Sequence, residues 1–443
     1  MDARTLHWST CTQKACLLRL MRRWLASVLV LTATGANASA QQSQTPGPAA
    51  PPPAFSEGES RSVRSALLGE DRRLLVTLPE SYERTTTRYP VLYLLDGSSN
   101  IMHVTGIVRF LANARNRVPE MLVVAIPNTN RNRDLTPGIG AALFERVLAE
   151  ELMPWIDRTY RTSSERVLVG HSLGGSFATH VFLNRPELFR GYIVISAPLW
   201  RYDSLARDMR SGIGAAARAR ASVYLSAGGN ETDNIKGGMA NFATTLRSAP
   251  AAEAPAWSFT ILPDEDHNST MHRSIYDALE ARYADYRFPF FEDTTDLKAV
   301  GGVSAMEAHY ARFGTKMGYR SIPPENRVIS AASILTAQGR YDESLKLAET
   351  YAADYPDAAL RIVITVGLDQ LHRGDVQAAV KSLRRATELF PKSPSAFDAL
   401  GDALCGTADR AAARKARQEA VRLAREANSS RLAGYQQKLD KGC

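Results

Sequence analysis

The segment Val167-Leu168-Val169-Gly170-His171-Ser172-Leu173-Gly174-Gly175 limits what this chain can fold into more than any other stretch. An aliphatic run leads straight into G-x-S-x-G, and a helical pattern begins near Ser176 to Ala178. A serine on a sharp strand-to-helix turn needs neighbours without side chains, and the helix N-terminus behind it favours developing negative charge. The pattern predicts Ser172 as a nucleophile at the carboxyl end of a buried strand. Around it, roughly Arg61 to Pro289, short aliphatic runs alternate with longer helical patterns, so the expected fold class is α/β, a doubly wound, mainly parallel sheet. The expected strands are Leu74–Leu78, Val91–Leu95, Leu122–Ile126, Val167–Val169, Tyr192–Ile195, Val223–Leu225 and Phe259–Leu262. A helix is expected from Ala141 to Tyr160, where Leu143, Val147, Leu148, Leu152 and Ile156 share one face.

A serine hydroxyl needs a base, and the base needs a carboxylate that fixes its tautomer, in the chain order serine, acid, histidine. Of the eight histidines, His267 follows a strand through the loop Pro263-Asp264-Glu265-Asp266 and is the preferred base. His272 is expected inside the next helix, and His180 as a packed helical residue. Strand Val223–Leu225 ends in Ser226-Ala227-Gly228-Gly229-Asn230-Glu231-Thr232-Asp233, which offers Glu231 first and Asp233 second as the acid, with Asp266 in reserve. The oxyanion hole is expected from the Leu173 amide and an amide of the Gly97–Ser98 region after Val91–Leu95. No motif calls for a metal or an organic cofactor.

The leader reads differently from everything after it. Arg22 and Arg23 precede an apolar run from Trp24 to Leu31, and small residues lead to Ala38-Ser39-Ala40, the order of a cleaved secretory signal over residues 1–40. The run is well short of the roughly 20 residues a membrane span needs, so no span is expected, and the expected location is periplasmic or secreted. Met21 would serve as an alternative start. Residues 1–40 hold five Lys or Arg and one acidic residue, so half of the net charge of +8 belongs to the leader and the remainder gives no case for nucleic-acid binding. Residues 41–57, rich in Gln, Ser, Pro and Ala, read as an extended linker. Past the leader only Cys405 and Cys443 remain, a possible disulfide in an oxidising compartment.

An α/β domain is thus placed at 58–298. From 299 to 443 the pattern is all helical and repeats. Gly367 and Gly401 lie 34 apart, as do Ala379 and Ala413, and Ala386 and Ala420, while Pro356 and Pro391 lie 35 apart. With a weaker unit around Gly339-Arg340-Tyr341, this is a tetratricopeptide-like pattern of three units, about the minimum for a stable stack.

Asp96-Gly97, Arg131-Asn132-Arg133-Asp134-Leu135-Thr136-Pro137, the serine elbow, Ser196-Ala197-Pro198-Leu199-Trp200 and Asp266-His267-Asn268 together resemble the enterochelin esterase and feruloyl esterase branch of the α/β-hydrolases. The resemblance implies Ser172 as nucleophile, His267 as base and an acid at Glu231, where many relatives carry Asp. It also implies a substrate contact from Arg131 or Arg133, with a structural Arg133–Asp134 ion pair as the alternative. Trp200 is expected to line the pocket or to join the core. The expected activity is hydrolysis of a small-molecule ester through an acyl-enzyme on Ser172, on siderophore trilactones or on aryl or acyl esters. Acyl transfer by the same triad is one alternative, and an interaction protein on a degenerate scaffold is the other. The repeats would offer a surface for a protein partner, for self-association or for gating the substrate.

Overall fold

The computed structural model describes residues 58–443, which lie in one compact unit. The expected signal segment 1–40 and linker 41–57 fall outside the described residues. A mixed eight-stranded sheet with order β1-β2-β4-β3-β5-β6-β7-β8 forms the centre. Its strands are β1 (Glu59–Ser65), β2 (Glu70–Thr77), β3 (Tyr89–Leu95), β4 (Leu122–Ile126), β5 (Thr162–His171), β6 (Gly191–Ile195), β7 (Ser222–Gly228) and β8 (Ala256–Leu262). β1, β2 and β4 pair antiparallel in turn, and the run from β4 through β8 is parallel. The expectation of a mainly parallel sheet therefore needs an antiparallel edge added to it. β1 escaped the sequence reading because it is a polar edge strand, Glu-Ser-Arg-Ser-Val-Arg-Ser, with only Val63 and Ser65 buried.

Side chains alternate across the sheet as the pleat requires. Val91, Tyr93 and Leu95 of β3 join one core, while Leu92 and Leu94 join the other. Helices cross between the strands: α1 (Gly97–Arg109), α2 (Arg131–Leu135), α3 (Ile139–Arg146), α4 (Met153–Thr159), α5 (Leu173–Asn184), α6 (Asp203–Arg218), α7 (Asp233–Ser248) and α8 (Thr270–Arg282). The helix expected over 141–160 is present but not uniform, because a π turn, Val147–Leu152, separates α3 from α4. Pro154 in the first turn of α4 has no N–H to give back to the preceding turn, and the wider turn before it accommodates the loss.

Beyond the sheet the chain is all helical: α9 (Thr294–Ala299), α10 (Gly302–Met317), α11 (Glu325–Ala337), α12 (Tyr341–Tyr351), α13 (Pro356–His372), α14 (Val376–Leu389), α15 (Pro394–Cys405), α16 (Arg410–Glu426) and α17 (Leu432–Lys441). The spacing of 34 has a steric meaning here. A Cβ on Gly367 would lie 2.4 Å from Leu383, and one on Gly401 would lie 2.7 Å from Arg417, so each glycine sits where its helix meets the next one. A disulfide joins Cys405 to Cys443 and ties the C-terminus to the end of α15.

The helical region docks on the amino-terminal ends of the parallel strands. Ser164, early in β5, donates to the Gly318 carbonyl at 2.8 Å; the Thr86 amide donates to Asp354 O at 3.2 Å; Arg84 pairs with Glu325 at 2.7 Å. Leu92 and Leu94 share one continuous core with Tyr310, Phe313, Leu335 and Ile362. Gating of the substrate by this region, one of the roles expected from sequence, is not what such docking provides, because the elbow serine lies at the strands' other ends.

Candidate active site

β5 ends at His171, and Ser172 turns the chain into α5 with φ +55° and ψ −123°. The flanking glycines make this turn possible. A Cβ on Gly170 would lie 2.1 Å from the Gly174 carbonyl oxygen, and one on Gly175 would lie 2.9 Å from the Ala197 methyl. Strand, helix and the end of β6 thus meet at van der Waals contact, and Ser172 is held in strained backbone by packing on both sides.

His267 leaves the loop after β8. Its Nε2 lies 3.0 Å from Ser172 Oγ and its Nδ1 lies 2.9 Å from Glu231 Oε2. Glu231 follows β7, and its side chain is fully buried. Burial alone would push its carboxyl up, but hydrogen bonds from His267, Ser196 and the Gly228 amide outweigh that and hold it below the ordinary carboxylate range. Two glycines let the acid loop and the base loop touch: a Cβ on Gly228 would lie 2.4 Å from Glu265 O, and one on Gly229 would lie 2.4 Å from Pro263 O.

The other candidates are placed elsewhere. Asp233 opens α7 with its side chain in solvent and pairs with Lys236 at 3.3 Å. Asp266 accepts from the Asn268 and Ser269 amides at 2.8 and 2.9 Å, shaping the turn that carries His267. His272 lies on α8 with its ring 5.5 Å from that of His103, and His180 is buried 3.3 Å from Glu145. Sequence reasoning named Ser196 only as part of a family motif, without a role, and gave none to His171 either. The Nε2 of His171 lies 2.6 Å from the His267 carbonyl oxygen, and since a carbonyl only accepts, that nitrogen carries the proton. Burial and the neighbouring His267 both push the His171 imidazole towards its neutral form.

On the oxyanion side, Leu173 is buried at the start of α5, Gly97 is buried at the start of α1 and Ser98 is exposed. Gly97 is required by packing: a Cβ there would lie 2.5 Å from the Ile126 nitrogen. Asp96, just before it, has φ +54° and receives Arg131 in bidentate fashion, Nε to Oδ1 at 2.6 Å and Nη2 to Oδ2 at 3.0 Å. Asn128 adds a bond to Oδ1 at 2.5 Å. The Arg131 guanidinium is therefore engaged in fixing the turn that presents Gly97 and Ser98. Arg133 is engaged as well: it bonds Asp134 at 2.6 Å and Glu70 at 2.7 and 3.0 Å, and buried Arg72 bonds the same two carboxylates. Those bonds hold the Glu70 carboxyl at about 2. Of the two readings of Arg133, the geometry matches the ion pair. Trp200 is 44% exposed and lies against Gly238 of α7, so it is at the surface and not in the core.

Arg131→Ala is expected to lower kcat about tenfold to a hundredfold with KM within about twofold, as loss of oxyanion geometry does. A raised KM with unchanged kcat, measured on a p-nitrophenyl ester, would instead mark a contact to the substrate.

A cavity of about 610 Å³ lies at the opposite edge of the sheet, between Tyr89, Glu120 and Ser163 on one side and Tyr319, Asn326 and Tyr355 on the other. It includes none of the residues around Ser172. Among the described residues no group of three His, Cys, Asp or Glu side chains stands where a metal could bind, and no helix is long and apolar enough to cross a membrane.

Residues 65–272 match the family described as "Putative esterase". The ferri-bacillibactin esterase of Bacillus subtilis is 32% identical over 133 residues, covering 24% of this chain and 46% of that protein, so the match spans under half of that relative. An IroE-like serine hydrolase from Shewanella oneidensis superposes with a TM-score of 0.53 at 25% identity, over 66% of this chain and 96% of that one. The present chain is a carboxylic ester hydrolase. An uncharacterised protein from Capnocytophaga ochracea has a TM-score of 0.52 at 17% identity and covers 86% of this hydrolase and 99% of itself. A fold of similar extent, longer than the sheet region alone, thus recurs in a solved structure.

Proposed function

We propose that this chain is an exported serine esterase that works through an acyl-enzyme on Ser172. The observation that carries the reading is the relay of Ser172 Oγ, His267 and Glu231 at 3.0 and 2.9 Å. Ser172 attacks the ester carbonyl carbon while His267 Nε2 takes its proton. The oxyanion that forms is met by the Leu173 amide and an amide of Gly97–Ser98, with the positive end of α5 behind them. The imidazolium then protonates the departing alkoxide, leaving acyl-Ser172 and free alcohol. Water enters, gives its proton to the same nitrogen and attacks the acyl carbon, and the acid leaves as Ser172 recovers its hydrogen.

The proposed substrates are siderophore trilactones and aryl or acyl esters, a choice supported by the named relative. Export is supported by the Arg22-Arg23, Trp24–Leu31 and Ala38-Ser39-Ala40 order, and the Cys405–Cys443 bond suits an oxidising compartment. The helical region is read as tetratricopeptide-like, a surface for a protein partner or for self-association that leaves the mouth of the site uncovered.

Rapid quenching of the mature protein with a p-nitrophenyl ester is expected to give an acyl mass on the Ser172 peptide, and a fluorophosphonate is expected to label the same residue. A panel including a catecholate trilactone and methyl ferulate then ranks the substrates, and an added alcohol that diverts the acyl group from water would mark a transferase. A protein that neither labels nor turns over any ester of the panel would reject the serine-esterase reading in favour of an interaction protein.

A further inference from the structure

A carboxylate can present either oxygen to an imidazole unless something selects one, and glutamate, one rotatable bond longer than aspartate, has one more torsion to fix. In this chain Oε1 is fully claimed. The Gly228 amide donates to it at 2.9 Å, and the Ser196 hydroxyl donates to it as well. Only Oε2 is left for His267 Nδ1.

Ser196 is an unusual residue for its position. It ends β6 with φ +51°, a left-handed conformation that glycine adopts freely and serine does not, and it is completely buried. Among the described residues, three of the non-glycine residues with positive φ, Asp96, Ser172 and Ser196, follow the carboxyl ends of β3, β5 and β6, which are neighbours in the sheet. Asp96 fixes the oxyanion turn and Ser172 is the nucleophile. The Ser196 amide donates to Ser226 O of β7 at 2.8 Å, the strand whose end carries Gly228 and Glu231. Backbone and hydroxyl of Ser196 are therefore anchored to the same loop from two sides. A hydroxyl with one hydrogen facing an acceptor-only carboxylate has a single useful orientation.

We propose that Ser196 is the positioning residue of the catalytic acid: its strained turn at the end of β6 aims the hydroxyl at Glu231 Oε1, so that Oε2 is fixed against the His267 imidazole. The inference rests on the serine-triad reading of the site. Ser196 touches neither substrate nor the reacting atoms, and its effect passes through Glu231.

The test uses the mature chain with p-nitrophenyl acetate, comparing wild type, Ser196→Gly and Ser196→Ala, with Ser172→Ala as the baseline. Ser196→Gly removes the hydroxyl while relieving the backbone, so a merely structural serine would be replaced without loss of activity. The expected result for both variants is a kcat lower by about tenfold or more, with KM within about twofold. The acid limb of the kcat/KM profile is expected to move up, since a carboxylate with fewer donors holds the imidazolium more strongly. A downward shift would mean that the carboxylate has turned away from the imidazole, which also acts through Glu231. In the Glu231→Gln background the Ser196→Gly effect is expected to disappear. Wild-type kcat with an unmoved acid limb, or an equal loss in the Glu231→Gln background, would overturn the proposal. Activity retained by Ser172→Ala would instead reject the serine-triad reading itself, so the two failures are distinct.

Discussion

Ser172→Ala is expected to lower kcat on p-nitrophenyl acetate by about 10⁵- to 10⁶-fold, the scale seen when a triad nucleophile is deleted. At roughly 1.4 kcal/mol per decade this amounts to about 7–8 kcal/mol of transition-state stabilisation. The size follows from what remains. His267, still bonded to Glu231, has no hydroxyl 3.0 Å away to deprotonate, and must instead activate a water in a site shaped around an attached nucleophile. The amides of Leu173 and Gly97–Ser98 keep their positions, because alanine accepts φ +55° no worse than serine does, so any residual rate reports the oxyanion hole. Initial rates with the two proteins at matched concentration, alongside fluorophosphonate labelling, measure the effect. A loss of only tenfold would mean that water, not Ser172, attacks the ester.

The strand-to-helix turn that carries Ser172 was readable because it is local. A buried run, two flanking glycines and a helix start lie within ten residues, and the strand–helix alternation around them follows from periods of 2.0 and 3.6 residues. His267 and Glu231 were readable for a related reason: each follows a parallel strand at its carboxyl end, where the crossover topology collects loops. What stayed hidden depends on contacts between residues far apart in sequence. Glu70 lies 63 residues from Arg133, and nothing near either one announces the network they form with Arg72 and Asp134. Ser196 lies 35 residues before Glu231, and His171 lies 96 residues before the carbonyl it holds. A positive φ on a non-glycine residue leaves no mark in composition, so the strained turns at Asp96 and Ser196 were silent as well. The docking of the helical region at the amino-terminal edge was equally hidden, since the 34-residue repeat reports how its helices stack and not which edge of the sheet they cover.

Glu231→Gln is expected to lower kcat by about 10⁴-fold with KM little changed, through the wrong tautomer of His267. An amide offers one accepting oxygen and one donating nitrogen. At Oε1 stand the Gly228 amide, which can only donate, and the Ser196 hydroxyl. The amide oxygen is drawn to that side and the NH₂ group is left facing His267 Nδ1. Nδ1 must then accept, so the ring hydrogen moves to Nε2 and points at Ser172 Oγ, where a proton acceptor is needed. Raising the pH cannot repair this, since the fault lies in the placement of a hydrogen and not in the charge of the ring. In the wild type, the bonds from His267, Ser196 and Gly228 hold the Glu231 carboxyl below its ordinary range. Its charge is therefore present from neutral pH down through the mildly acidic range and is lost only as the pH falls past that lowered value. A pH profile from 7 to 9 checks the tautomer argument: the Glu231→Gln deficit is expected not to close as the pH rises. A deficit under about tenfold would transfer the acid's role to another carboxylate. The two nearest in sequence to the loops are poorly placed for it, Asp233 in solvent beside Lys236 and Asp266 occupied by the amides of its own turn.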